Sequence, residues 1–138
     1  MGKIGIKYED KSAGQPELVL LFDALKRLII PYEKGHLRLK GGEEGQIALI
    51  SDKPVVIGGR KKEEIWFVSA LIQKGFVGFY YMPVYMDPRV RSQLKPELLK
   101  CLKGKACFHL KKQDPLLFGQ IQEALEIGYA RFAENGWI

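Results

Sequence analysis

The stretch Glu64-Ile65-Trp66-Phe67-Val68-Ser69-Ala70-Leu71-Ile72-Gln73-Lys74-Gly75-Phe76-Val77-Gly78-Phe79-Tyr80-Tyr81-Met82 decides the fold. Residues 64–72 and 75–82 are rich in β-branched and aromatic side chains and are joined by Gln73-Lys74-Gly75. A connection so short closes only antiparallel neighbours, because a parallel crossover takes about a dozen residues. The first strand is apolar on both faces, which predicts a central position with at least partial cover on either side. On the second, Phe76 and Tyr80 share one face and Phe79 and Tyr81 the other. Gly78 is expected to leave open space beside these rings.

Upstream of this pair, Leu37 and Leu39 alternate with Arg38 and Lys40, and Gly41-Gly42-Glu43-Glu44-Gly45 makes a turn. Residues 46–50 and 53–57 read as further strands, with Gly58-Gly59-Arg60-Lys61-Lys62 as a hairpin tip. The middle of the chain is thus expected to be an antiparallel β-meander. Ahead of it, Leu18, Leu21, Phe22, Leu25, Leu28 and Ile29 recur at helical spacing, so a helix is predicted over 16–30, ended by Pro31. Residues 1–15 are polar and read as a loosely held arm.

Beyond the meander, Leu94, Leu98, Cys101 and Leu102 mark a second helix, with Gly104 as its left-handed terminus. Residues 105–110 form a short strand. Asp114-Pro115 supplies an N-cap followed by proline at the first helical position. The last helix then runs to Asn135-Gly136, and a left-handed Gly136 would fold Trp137 back onto Phe132. The order α-β-β-β-β-β-α-β-α, with five to six strands, describes a single α+β domain over 16–138.

The chain has 138 residues, 46% of them apolar and 28% charged, as in ordinary globular domains. No apolar run approaches the ~18 residues that span a bilayer. The N-terminus lacks the apolar stretch of a secretory signal, and Ile6 stands where a myristoylation site has Ser or Thr. Cys101 and Cys107 are too few to staple an extracellular fold, so a cytoplasmic protein is expected, as monomer or homodimer. The net charge of +6 is uneven: residues 89–112 hold eight cations against the single acid Glu97. Such asymmetry points to an anionic partner, against the competing reading of a solvated lysine-rich face.

Catalytic and metal patterns are sparse. Cys101, Cys107 and His109 have ligand chemistry but no Cys-x2-Cys spacing and no fourth ligand, so no metal site is assigned. His36 and His109 lie in no triad signature, and no nucleophile elbow occurs. The pairs Glu43-Glu44 and Glu63-Glu64 sit beside polar turns, where solvation accounts for them. The glycines and cations of 58–62 precede no helix and so are not a phosphate loop. Lys74-Gly75-Phe76-Val77-Gly78-Phe79 opens like an RNA-recognition motif, but Phe76 and Phe79 are three apart and face opposite ways. No catalytic residue and no cofactor are assigned.

The run Lys53-Pro54-Val55-Val56-Ile57, a charged turn, Ile65-Trp66-Phe67, Gly78-Phe79-Tyr80-Tyr81, a basic helix, Lys103-Gly104-Lys105-Ala106-Cys107-Phe108-His109-Leu110 and a closing helix resembles the YdhG-like family of small bacterial domains. That resemblance implies an α+β fold with a meander sheet. For some members it implies a frataxin-like role as an iron chaperone, which here would call on Glu43, Glu44, Glu63 and Glu64 gathered at one end of the sheet. The residues themselves point instead to a non-catalytic binding domain. Lys103, Gly104 and Lys105 would form an anion site, with Arg89, Arg91 and Lys95 around it and Tyr80 and Tyr81 as pocket walls. Its partner would be an anionic small molecule, a nucleic acid or an acidic protein.

Overall fold

The structure, a computed structural model, describes residues 9–138. The first helix, α1 (Pro16–Ile29), passes through a 3-10 turn (Ile30–Tyr32) into the strands β1 (Leu37–Gly41) and β2 (Gln46–Ser51). A small hairpin follows, β3 (Val55–Ile57) and β4 (Arg60–Lys62), and then the long strands β5 (Ile65–Gln73) and β6 (Phe76–Tyr81). Short helices α2 (Pro83–Met86) and α3 (Pro96–Leu99) flank a 3-10 turn (Arg91–Gln93). The hairpin β7 (Leu102–Lys103) and β8 (Cys107–Leu110) precedes the closing helix α4 (Pro115–Glu134). The sheet has six strands in the order β1-β2-β5-β6-β8-β7, antiparallel throughout, and the fold is α+β.

The doubly apolar β5 is central, as its composition demands, but β3 does not join the meander. It pairs only with β4 in a separate two-stranded ribbon. Pro54, at the foot of β3, has no N–H to donate, and only three residues remain before the Gly58-Gly59 turn. The nine-residue β5 takes the free edge of β2 instead, through six residue pairs. The single helix expected over the basic segment is likewise broken. Asp87 and Lys95 each precede a proline and are extended, as pre-proline sterics require, so neither α2 nor α3 exceeds four residues. Gly104 is left-handed (φ 74°), but it turns β7 into β8 rather than ending a helix.

Both long helices pack on one face of the sheet, where Leu21, Phe22, Leu25 and Ile29 of α1 and Ile121, Leu125 and Phe132 of α4 bury against Phe67, Val68, Ala70, Phe79 and Phe108. No helix of this length covers the opposite face, yet Ser69 and Leu71 on that side of β5 are buried, so the strand is covered in part on both sides, as expected. Within the described arm, the Gln15 amide donates to Gln73 O (3.0 Å) and its oxygen accepts from Gly75 N (2.8 Å). Gln15 is therefore tied to the β5–β6 turn, while residues 1–8 of the expected arm lie outside the described residues. At the other end α4 closes as expected. Gly136 is left-handed (φ 76°), Trp137 N donates to Phe132 O (2.9 Å), and their rings meet edge-on with centroids 5.1 Å apart.

The tightest junction is between α4 and the end of β6. A Cβ on Gly128 would stand 2.7 Å from Pro83 Cγ and 2.8 Å from Tyr81 Oη, distances that side chains do not tolerate. Tyr81 is fully buried, and its hydroxyl donates to Ala124 O on the same helix. Burial pushes this phenol far above its usual range. Gly128→Ala is expected to lower stability by about 1–3 kcal/mol, the cost of overpacking, as measured by urea unfolding.

The segment after α2 is held by Asp87, whose side chain is 4% exposed. It accepts from Arg89 Nε (3.0 Å), Arg89 Nη2 (2.8 Å) and Asn135 Nδ2 (3.1 Å). The Arg89 guanidinium, followed against the cost of burial by the Arg89 backbone N–H and the Asn135 amide, holds this carboxyl well below its usual range. A carboxylate depressed on folding stabilises the native state above its unfolded pKa of about 4, and that contribution fades as pH falls further. Asp87→Asn should therefore lower the melting temperature at pH 7. Melting curves between pH 7 and 2 should show the gap to the parent protein closing at the acid end.

Candidate functional site

The site lies on the sheet face that carries neither long helix. Its floor depends on a slip in register: Leu49 pairs with Val68 but Ile50 pairs with Trp66, leaving Phe67 as the extra residue of a β-bulge. The phase of β5 therefore changes at this point. Ile65, Phe67, Val68, Ala70 and Ile72 contribute to the helix-side core, whereas Ser69 and Leu71 join Trp66 in lining the other face. Trp66 and Ser69, three apart, come to share one face, which strict alternation forbids.

A groove of about 940 Å3 runs over this floor, at the upper end of the range of about 300–1,000 Å3 for small-molecule sites. Trp66, Ser69, Leu71 and Gln73 of β5 and Tyr80 of β6 form the base. The β3–β4 ribbon supplies one wall with Ile57 and Lys62, and Glu64 stands at its foot. Met82, Tyr85 and Met86 supply the other. Pro83, wedged against Gly128, anchors the short α2 that presents Tyr85 and Met86. Ser69 is 4% exposed, lines the groove, and its hydroxyl has no hydrogen-bond partner among the described residues.

Tyr80 occupies the middle of a cross-strand row, Lys40–Ala48–Ser69–Tyr80–Cys107–Lys103, fixed by successive register pairs. Its ring leans over Gly78, where an added Cβ would sit 3.2 Å from Tyr80 Cε2, so the space expected beside Gly78 is filled. Burial raises the Tyr80 phenol, as does its contact with Cys107. Burial likewise raises the Cys107 thiol, against a smaller opposing effect of the Tyr80 hydrogen bond. A thiol shifted upward is protonated at neutral pH and a weak nucleophile. At the far end of the same face, His109 stacks on Phe76 with centroids 3.9 Å apart and planes at 14°.

The residues expected to bind an anion separate into two groups. Lys103 projects to the groove face beside Cys107, and Lys105 Nζ stands 5.6 Å from the centroid of the Tyr85 ring, which is 54% exposed. Neither lysine lines the groove, but each adjoins a residue that does, Lys103 through Cys107 beside Tyr80 and Lys105 beside Tyr85, with Gly104 between them. Arg89 is instead locked onto Asp87 and Asn135, and Lys95 pairs with Glu123 on α4 (3.8 Å). Arg91 is exposed and makes no ion pair among the described residues, but it does not line the groove. Tyr81 is in the helix-side core and is no pocket wall, because adjacent residues of a strand face opposite ways. Trp66, Ser69, Tyr85 and Lys62 were not singled out from the sequence. The bulge that brings the first two onto one face has no local signature, and Lys62 reads as part of a turn.

The four acids named for iron do not gather. Glu43 and Glu44 lie in the β1–β2 turn, next to Gln46, which pairs with Leu71 near the end of β5. Glu63 and Glu64 lie ahead of Ile65 at its start. They stand at opposite ends of a nine-residue strand, and among the described residues no group of three or more His, Cys, Asp or Glu side chains could hold a metal ion. No helix among the described residues is long and apolar enough to cross a membrane. No protein-family model, curated protein or solved structure matches this chain.

Proposed function

We propose that this protein is a non-catalytic binding domain whose groove on the helix-free sheet face takes an anionic ligand. The observation that carries the reading is the conjunction of an aromatic and thioether-lined groove with unpaired lysines on its border. Trp66, Tyr80, Tyr85, Met82 and Met86 offer adaptable apolar contact, and Lys103 and Lys105 supply charge on one side. On the opposite wall Lys62 and Glu64 carry opposite charges, whereas Lys103 and Lys105 face no acid among the described residues, so the anionic end of the ligand belongs at the Lys103–Lys105 side. A second copy of this chain is a poor occupant, since it would bring its own +7 segment against this one. The iron-chaperone role implied by the YdhG-like resemblance would need carboxylates brought together, and no observation favours it.

The test is thermal unfolding at low salt with inorganic phosphate, nucleotides, a short single-stranded oligonucleotide and ferrous iron. A ligand at 100 times its dissociation constant adds about 2.7 kcal/mol, a shift of several degrees in a domain of this size. Stabilisation by anions that weakens with added salt, and that is lost in Lys103→Ala/Lys105→Ala with its ligand-free melting temperature unchanged, supports the site. Stabilisation by ferrous iron alone, or anion binding indifferent to the double substitution, overturns it.

A further inference from the structure

The groove floor discriminates between kinds of anion, and from it we infer that the ligand is a phosphorylated planar heterocycle, a nucleotide, rather than an acyl-chain carboxylate. This rests on the groove reading above and assigns its ligand class. Ser69 carries the argument. Its hydroxyl lies in the base of the groove, the residue is 4% exposed, and no described residue accepts or donates to it. Gln73, four residues along the same strand, adds an amide that makes no side-chain hydrogen bond among the described residues.

Polar groups of this kind, covered by an aliphatic chain, lose water and gain nothing in return. A ring with donors and acceptors on its edge satisfies them, and a site built around such a hydrogen bond rejects analogues that lack it. The flanking side chains suit the faces of the same ring. Tyr80 is the cross-strand neighbour of Ser69, Trp66 lies three residues before it on the floor, and Tyr85 stands on the wall with much of its ring exposed. Aromatic side chains in such positions stack on nucleobases of any sequence. With the base on Ser69, the phosphate is directed away from the mixed-charge wall of Lys62 and Glu64 and toward Lys105, which already stands over Tyr85. A free mononucleotide and a nucleotide within a single strand present the same chemistry to this groove.

Calorimetric titration at low salt separates the cases, with AMP, adenosine, inorganic phosphate, decanoate and a five-nucleotide single strand as probes. Saturable one-to-one binding of AMP is expected, at least 10-fold weaker for adenosine and absent for phosphate. Ser69→Ala, with an unchanged melting temperature, should weaken AMP about 10-fold. A strand that binds at least 10-fold tighter than AMP and shows the same Ser69→Ala loss also supports the inference and identifies the source as nucleic acid. Saturable binding of decanoate without AMP overturns the heterocycle but leaves the anion groove standing. Binding of AMP that Ser69→Ala does not change overturns the assignment of the floor. If none of the anions binds, both this inference and the groove reading fall.

Discussion

The contact between the backbone of Gly128 and the side chains of Tyr81 and Pro83 is the constraint on which the rest of the structure depends. With no Cβ at 128, α4 settles onto the end of β6 closely enough for the Tyr81 hydroxyl to reach a carbonyl of that helix. That single junction does two things. It closes the helix-side core over Phe67, Phe108 and Phe132, and it holds Pro83 at the first position of α2. The short helix so anchored then presents Tyr85 and Met86 to the other side of the sheet. Core and groove wall are thus two consequences of one close approach.

The proline-broken segment that follows has too few residues per helix to stand on propensity, since isolated helical stretches shorter than about 12 residues are marginal. It is fastened at discrete points instead. Asp87 binds Arg89 and Asn135, and Val90, Leu94 and Leu98 insert into the core. Gln120 of α4 accepts from Leu98 N and donates to Glu97. Two cations of the basic segment, Arg89 and Lys95, are paired in this fastening. Of the cations that form no ion pair among the described residues, Lys103 and Lys105 lie at the β7–β8 turn, beside the groove.

The groove itself follows from asymmetry in how the sheet is covered. A β-bulge in β5 lets a strand that reads as uniformly apolar serve two surfaces, one packed under helices and one lined by Trp66, Ser69 and Leu71. The β3–β4 ribbon, excluded from the main sheet, becomes a wall rather than a strand of the floor.

Local patterns in the sequence determined the α+β class, the central place of β5, the antiparallel β5–β6 pair, both long helices and the Gly136 cap of α4. These rest on short-range physics: apolar periodicity, turn length, proline at a helix start and glycine at its end. Only the tertiary structure decided which strand β2 would pair with, that the basic helix would break at its prolines, and which face of the sheet would remain without a long helix. Strand pairing is a competition among distant partners, won by the longest apolar edge, and no window of sequence contains it. The grouping of the cations was legible only where it is local. Lys103, Gly104 and Lys105 form one turn and travel together, whereas the freedom of Arg89 and Lys95 depended on Asp87 and Glu123, whose approach is set by the packing of α4. Tyr80 and Tyr81 were assigned to one pocket by adjacency, but in a strand adjacency means opposite faces, and burial then sent Tyr81 to the core.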